Sequence, residues 1–191
     1  MANNDIPREI VDVLHCTRCS SSRWWHRVPP LWVGDVTHLP VGEVLVVGQC
    51  PGFVDHDLFR QWHTPSQLWE TCMAQLVQGV FYNRVTTLAP SLRHAVFVNA
   101  SNCRRDGSAP KTMVRNCRSH LQQIVRAVSP SAIVAFGEVA RVAVQRVDWM
   151  RVPTYVSSHP SNLFRFHHQQ VVEEQVRLRE FLSGIDDGGD I

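Results

Sequence analysis

Four short apolar runs alternate with helical patterns along this chain, and that alternation limits the folds it can adopt. The runs predict buried strands at residues 44–48, 95–99, 132–136 and 154–157. The helical patterns cover residues 66–78, 111–128, 138–147 and 171–182, with Ser66 as the expected N-cap of the first helix. This order indicates an α/β protein: a three-layer α/β/α sandwich around a central four-stranded, mostly parallel sheet.

The predicted sheet also indicates where a site should lie. In parallel sheets flanked by helices, ligands bind at the carboxyl ends of the strands. We therefore expect the chemistry of this protein just after Gly48, Asn99, Phe136 and Ser157.

Length and composition fit one folded domain. The 191 residues are 44% hydrophobic and 19% charged, which excludes a wholly disordered chain. We expect a single domain over residues 1–183, with an irregular wrapping segment at 16–41 and an acidic, flexible tail at 184–191. No run of about 18 apolar residues occurs, and the polar N-terminus lacks a signal-peptide pattern. These features predict a cytoplasmic protein without a membrane segment, and we expect a monomer.

Basic residues concentrate between residues 101 and 126, where Asp106 is the one acidic residue. The net charge of +2 for the whole chain says nothing about nucleic acid. The local stretch is compatible with a phosphate-binding surface, but charge alone favours a solvated face.

The six cysteines include two pairs that suggest a metal site. Cys16 and Cys19 form a C-x2-C pair, and Cys103 and Cys117 bracket a basic loop. Four thiolates of this kind can hold zinc or an iron–sulfur cluster, and free cysteines remain the simpler alternative. The other two, Cys50 and Cys72, are expected to be small buried hydrophobic residues.

Chemically suggestive residues follow the predicted strands. The turn GQCPG at residues 48–52 lets backbone amides approach a ligand, and Asp55 lies shortly after it. Asn99 offers a donor and an acceptor side by side, which suits the edge of a pyrimidine, although it could equally cap a loop.

The motif HPSNLFR at residues 159–165 follows the last strand. Its residue types suit DNA: a serine and an arginine for phosphates, an exposed apolar pair for a wedge between bases, and His159 for a developing anion. A loop histidine is more often inert, so this motif depends on its partners.

In order along the chain, these motifs resemble those of the uracil-DNA glycosylase superfamily, most closely its iron–sulfur branch, family 4. That branch has an N-terminal C-x2-C, a GEAPG-like turn, an Asn-x3-Cys element, a fourth cysteine after a basic loop, a strand–LG–helix element and an HPS/A-x-L-x-R motif. The corresponding features here are Cys16/Cys19, GQCPG, Asn99-x3-Cys103, Cys117, Phe136-Gly137 and HPSNLFR. The resemblance implies a DNA glycosylase that flips a base out of DNA and leaves an abasic site.

The resemblance also implies the roles of single residues. Cys16, Cys19, Cys103 and Cys117 would hold a [4Fe–4S] cluster, with zinc less favoured. His159 would donate a hydrogen bond to the departing base, and Asp55 would orient water or stabilise the cationic sugar. Gln49 stands where the family's GEAPG turn has Glu, and we include it among the candidate catalytic residues.

Binding roles follow in the same way. Asn99 would read the Watson–Crick edge of the flipped base. Leu163, with Phe164 beside it, would fill the gap that the nucleotide leaves, while Ser161 and Arg165 would contact DNA phosphates.

The departures from the family fall on the base pocket. Gln49 replaces Glu, and residues 59–66 lack the family's glycines and its base-stacking Phe, so Phe53 or Trp62 would have to stack instead. The predicted function is therefore excision of a modified pyrimidine, such as glucosylated hydroxymethylcytosine in phage DNA, as antiviral defence. Uracil repair, a non-catalytic iron–sulfur DNA sensor and a zinc-stabilised protein unrelated to DNA are the alternatives. Lys111 is the sole lysine, so a lyase step has one side-chain candidate, in the expected cluster loop, and a monofunctional enzyme is predicted.

Overall fold

The computed structural model describes residues 6–18, 27–51, 64–103, 111–145 and 152–186. Its centre is a four-stranded parallel sheet of order β2-β1-β3-β4, formed by β1 (Leu45–Gly48), β2 (Val96–Asn99), β3 (Ile133–Phe136) and β4 (Thr154–Ser157). Each predicted strand is confirmed to within one residue. Strands β1, β2 and β3 are almost wholly buried because both faces of the sheet are covered, whereas the edge strand β4 is partly exposed.

Helices cover both faces of the sheet, which confirms the predicted α/β architecture. They are α1 (Arg8–Leu14), α2 (Pro65–Gln78), α3 (Val80–Leu88), a 3-10 turn (Pro90–His94), α4 (Lys111–Val128), α5 (Glu138–Gln145), α6 (Pro160–Phe166) and α7 (His168–Asp186). Crossovers between parallel strands are right-handed. The chain moves outward from β1 to β2 and then back across β1 to β3. Consequently α2 and α3 lie on one face of the sheet, and α4 and α5 lie on the other.

The structure refines the helix boundaries. The span predicted for α4 is confirmed at both ends. Helix α2 begins one residue early, and its N-cap is Thr64 instead of Ser66, because the Thr64 hydroxyl accepts a hydrogen bond from the Gln67 backbone N–H at 3.2 Å. Helix α7 is longer than predicted and continues through Gly184 into the expected tail.

Three α-helices of the described chain were not predicted: α1, α3 and α6. Helix α6 matters most, because it contains most of the HPSNLFR motif, which the sequence analysis treats as a loop. His159 is its N-cap and Pro160 occupies its first turn, a position that tolerates the missing N–H of proline.

The segment after residue 26 wraps one edge of the sheet, as predicted for this irregular region. Leu31 exchanges two backbone hydrogen bonds with Phe97 on β2, at 2.9 and 2.7 Å. Trp69 on α2 donates to the Pro30 carbonyl at 3.0 Å and packs on Trp32 at a centroid distance of 5.0 Å. The segment thus covers the exposed edge of β2 and anchors α2 against it. Within the described residues, no helix has the length and apolar character needed to cross a bilayer.

Candidate active site

A cavity of about 480 Å³ opens at the carboxyl ends of the strands, where the sequence predicted a site. Its lining combines predicted site residues with an apolar wall from α2, α3 and the wrapping segment. The predicted residues that it brings together are Gln49, Asn99, His159 and Ser161. Asp55, Phe53 and Trp62, the other predicted catalytic and base-stacking residues, lie outside the described residues.

The side chain of Asn99 has room because its neighbour on β1 is glycine. Gly48 and Asn99 are paired in the parallel register of β1 and β2. A Cβ added to Gly48 would lie 3.1 Å from Asn99 Oδ1 and 3.5 Å from Phe81 Cζ. The last residue of β1 therefore leaves the space in which Asn99 can meet a ligand.

The tautomer of His159 follows from its position as N-cap of α6. Its Nδ1 accepts a hydrogen bond from the Ser161 backbone N–H at 3.2 Å, so a neutral ring carries its proton on Nε2. Burial, and after it the positive charge of Arg84, lowers the pKa of His159 below its ordinary value of 6.5. At pH 7 the side chain is thus a neutral donor through Nε2.

The backbone at Gly137 holds the other side of His159. Gly137 has a φ of +88°, a conformation that L side chains rarely adopt. A Cβ there would lie 3.2 Å from His159 Cβ. The turn after β3 therefore approaches the histidine as closely as it does only because residue 137 has no side chain.

Phe81 on α3 is a site residue that the sequence analysis missed. Its ring lies 5.8 Å from the His159 ring and meets Phe136 edge-on at 6.0 Å, between centroids. It thus forms an aromatic wall beside Asn99 and His159. The spacing of Phe81, Val85 and Leu88 at i, i+4 and i+7 was the available signal for an amphipathic helix here.

A second, more polar pocket adjoins the first. Gln49 and His159 line both pockets, and the second is completed by polar groups from the β3–α5 turn, the end of β4 and α6. These two residues therefore stand between a largely apolar compartment and a polar one.

The predicted exposure of the apolar pair Leu163 and Phe164, the proposed wedge between bases, is wrong for Leu163. Leu163 is only 2% exposed, so it is not part of an exposed apolar pair. Residues 160–166 form a helix packed against α3 and α7, and that conformation turns Leu163 into the core. Phe164 is half-buried beneath the Arg84 guanidinium, 5.5 Å from its ring centroid, whereas Arg165 and Phe166 are exposed.

The described cysteines of the expected cluster lie on neighbouring segments. A hydrogen bond from Cys103 is the largest of the effects that lower the pKa of Cys117 to about 6, against the opposing effect of burial. Arg18, two residues after Cys16, donates to the Asn116 carbonyl at 3.2 Å, next to Cys117 on α4. Cys19 lies outside the described residues, and among those described no three metal-ligating side chains form a group.

Two observations near these cysteines fit a bound inorganic group. The side-chain amide of Asn102 and both ring nitrogens of His120 are buried without hydrogen-bond partners. Cluster sulfides accept hydrogen bonds from N–H donors such as Asn102 Nδ2 or the one protonated nitrogen of a neutral His120 ring, and a lowered pKa favours the thiolate form that binds metal. Cys72, by contrast, is buried and burial raises its pKa to about 12, which confirms it as a small hydrophobic residue. Cys50, expected to resemble it, is half-buried and lines the cavity.

The comparisons with known proteins agree with this geometry. The family model of the uracil DNA glycosylase superfamily matches residues 39–183, which span all four strands and every described residue that lines the two pockets except Val28 and Leu31. A search of curated proteins finds no match to the chain. On the strength of the family match, the chain belongs to the uracil DNA glycosylase superfamily, whose members are DNA glycosylases.

Proposed function

We propose that this protein is a monofunctional DNA glycosylase that hydrolyses the N-glycosidic bond of a flipped pyrimidine and leaves an abasic site. The pyrimidine is a modified one, such as glucosylated hydroxymethylcytosine in phage DNA, and the role is antiviral defence. The observation that carries the proposal is the convergence of Gln49, Asn99 and His159 on one cavity at the carboxyl edge of the sheet.

The electrostatics of these residues suit N-glycosidic cleavage. Breaking the bond leaves positive charge on the sugar and negative charge on the departing base. The Nε2–H of neutral His159 can donate to a base oxygen as that charge develops, and the donor is already oriented before the reaction begins. Water then completes the hydrolysis at the sugar, where Asp55 is the proposed carboxylate.

Asn99 and Phe81 are the residues proposed to recognise the base. The Asn99 amide can present its donor and acceptor to the edge of either uracil or cytosine, depending on how the amide is turned. Phe81 supplies an aromatic wall beside it, which suits a planar ring. These contacts offset part of the cost of flipping the nucleotide, about a few kcal/mol.

The absence of a lyase step is part of the proposal. A lyase needs an amine nucleophile at the sugar, and Lys111 is the only lysine of the chain. Lys111 is exposed at the start of α4 and is not among the described residues that line the cavity. A product of β-elimination that borohydride traps on the protein would contradict this part.

A [4Fe–4S] cluster held by Cys16, Cys19, Cys103 and Cys117 is proposed as a structural element. It would fasten the N-terminal segment and the loop between Cys103 and Cys117 to α4. The hydrogen bond between Cys103 and Cys117 and the unpartnered side-chain amide of Asn102, next to Cys103, support this assignment.

The modified base is favoured by the size of the cavity. From Asn99 and His159 the cavity extends to Cys72 on α2 and to Val28 in the wrapping segment. This part of the cavity lies beyond the residues proposed to contact the pyrimidine ring. Plain uracil is the second candidate, because Asn99 can read it equally well.

Base release measured by mass spectrometry tests the proposal. The protein is incubated with DNA that contains uracil and, separately, with phage DNA that contains glucosylated hydroxymethylcytosine. Release of the glucosylated base supports the proposal, and release of uracil alone assigns the protein to repair. Binding of DNA without release of either base would show a non-catalytic DNA-binding protein. A His159→Ala control should lower release by about 100-fold or more.

A further inference from the structure

One residue of the cavity wall carries a buried polar atom that has no hydrogen-bond partner within the described part of the chain. Gln75 on α2 lines the cavity, and its Oε1 is buried without a hydrogen-bond partner. Its helix neighbours Cys72 and Leu76, which also line the cavity, are apolar in this setting. Buried acceptors in native proteins nearly always have a donor. Since other atoms of Gln75 line the cavity, a rotation of its side-chain amide would bring this free acceptor to a ligand.

Helix α2, which carries Gln75, is anchored at two points. The Thr64 side chain caps its first turn, and Trp69 fastens its middle to the Pro30 carbonyl. A helix anchored at these points keeps the backbone of Gln75 at the cavity wall, so only the torsions of its own side chain are ordered when it forms a hydrogen bond.

We propose that Gln75 is a specificity-determining residue that accepts a hydrogen bond from a hydroxyl group on a substituent of the flipped base. This inference rests on the proposed function and names the residue that selects its substrate. Asn99 on β2 recognises the edge of the pyrimidine ring, and Gln75 on α2 recognises the substituent attached to that ring.

The chemistry of the compartment points to a glycosyl substituent. An amide oxygen only accepts, so its partner must bring an O–H or N–H donor. The wall beside it is formed by Val28, Leu31 and Leu76, which favour a group with apolar faces. A hexose combines hydroxyl donors with apolar C–H faces, whereas plain uracil has no substituent to reach Gln75.

The test compares Gln75→Met with the unaltered protein on matched oligonucleotides that contain uracil, hydroxymethylcytosine or glucosylated hydroxymethylcytosine. Methionine keeps the length of the side chain and removes the acceptor. We expect excision of the glucosylated base to slow by about 10-fold and excision of uracil to change by less than about 2-fold. Gln122→Met, on α4 across the sheet, is the control and should leave both rates unchanged.

Thermal denaturation separates this role from a structural one. Replacing an unpartnered buried acceptor by an apolar group should leave the melting temperature unchanged or raise it. Equal slowing on all three substrates, a lowered melting temperature, or unchanged selectivity would each overturn the role of Gln75. If the unaltered protein releases no base, the proposed function fails instead. In that case, binding of the same DNAs is compared between His159→Ala and the double variant His159→Ala, Gln75→Met. The role of Gln75 stands if the double variant selectively loses affinity for the glucosylated DNA, and fails if it does not.

Discussion

Substituting Gly137 by alanine tests whether the turn after β3 positions His159. Gly137 has a φ of +88°, and a Cβ there would lie 3.2 Å from His159 Cβ. The substitution should therefore have two separable effects: backbone strain, which lowers stability, and displacement of the histidine, which lowers activity.

The magnitude of the first effect comes from the backbone. Placing an L residue in the left-handed region costs about 1–2 kcal/mol. For a chain of this size that corresponds to a fall in melting temperature of about 2–8 °C. The second effect comes from the short contact, which requires a shift of a few tenths of an ångström. Since a misplacement of about 1 Å can cost about 100-fold in rate, we expect a loss of about 10-fold in kcat/KM for base release.

Gly42 provides the matched control. Its φ of +83° is nearly the same, but a Cβ there would meet nothing within 4 Å. Gly42→Ala should lower the melting temperature to a similar degree and leave base release unchanged once measured well below that temperature. Equal activity of the two variants would refute the claim that Gly137 positions His159.

Four further results are expected. Gly48→Ala should lower base release by about 10-fold with little change in melting temperature, because its Cβ would crowd Asn99 Oδ1 at 3.1 Å without a positive φ. Phe81→Leu should raise KM in initial-rate measurements, because the aromatic wall is lost. It should change the melting temperature little, because the side chain is only half-buried. The pKa of His159 is lowered in the folded state, so folding disfavours its protonation; stability should fall as pH drops below 6.5, and His159→Gln should flatten that slope in denaturant titrations. Cys103→Ser should remove the visible absorbance of an iron–sulfur cluster and reduce solubility together, and a folded, active variant would contradict the cluster assignment.

The sheet could be predicted because buried parallel strands leave a strong local signal. Residues 44–48 and 132–136 are continuous apolar runs bounded by glycine or polar residues, and no other local structure explains them as well. Once the strands were placed, the rule for parallel sheets located Asn99 and His159 at one edge without any knowledge of their contacts.

The parts that could not be predicted depend on tertiary packing. The helix at residues 160–166 begins with a proline and is too short to show an amphipathic pattern. The burial of Leu163 could therefore not be predicted from the sequence. Phe81 and Gln75 reach the cavity only because the junction of α2 and α3 lies beside the carboxyl ends of β1 and β2. Such long-range placement leaves no periodic trace in the chain.

The pairing of Gly48 with Asn99 makes activity a reporter of correct folding. Side chains on a strand alternate between faces, so a slip of β1 by one residue against β2 would place the side chain of Val47 beside Asn99 and fill the space that glycine leaves. A misregistered molecule could retain its helices and much of its apolar burial and still be unable to admit a base. In a refolding experiment, recovery of base release would therefore lag behind recovery of the helical signal by the time that β1 takes to find its register.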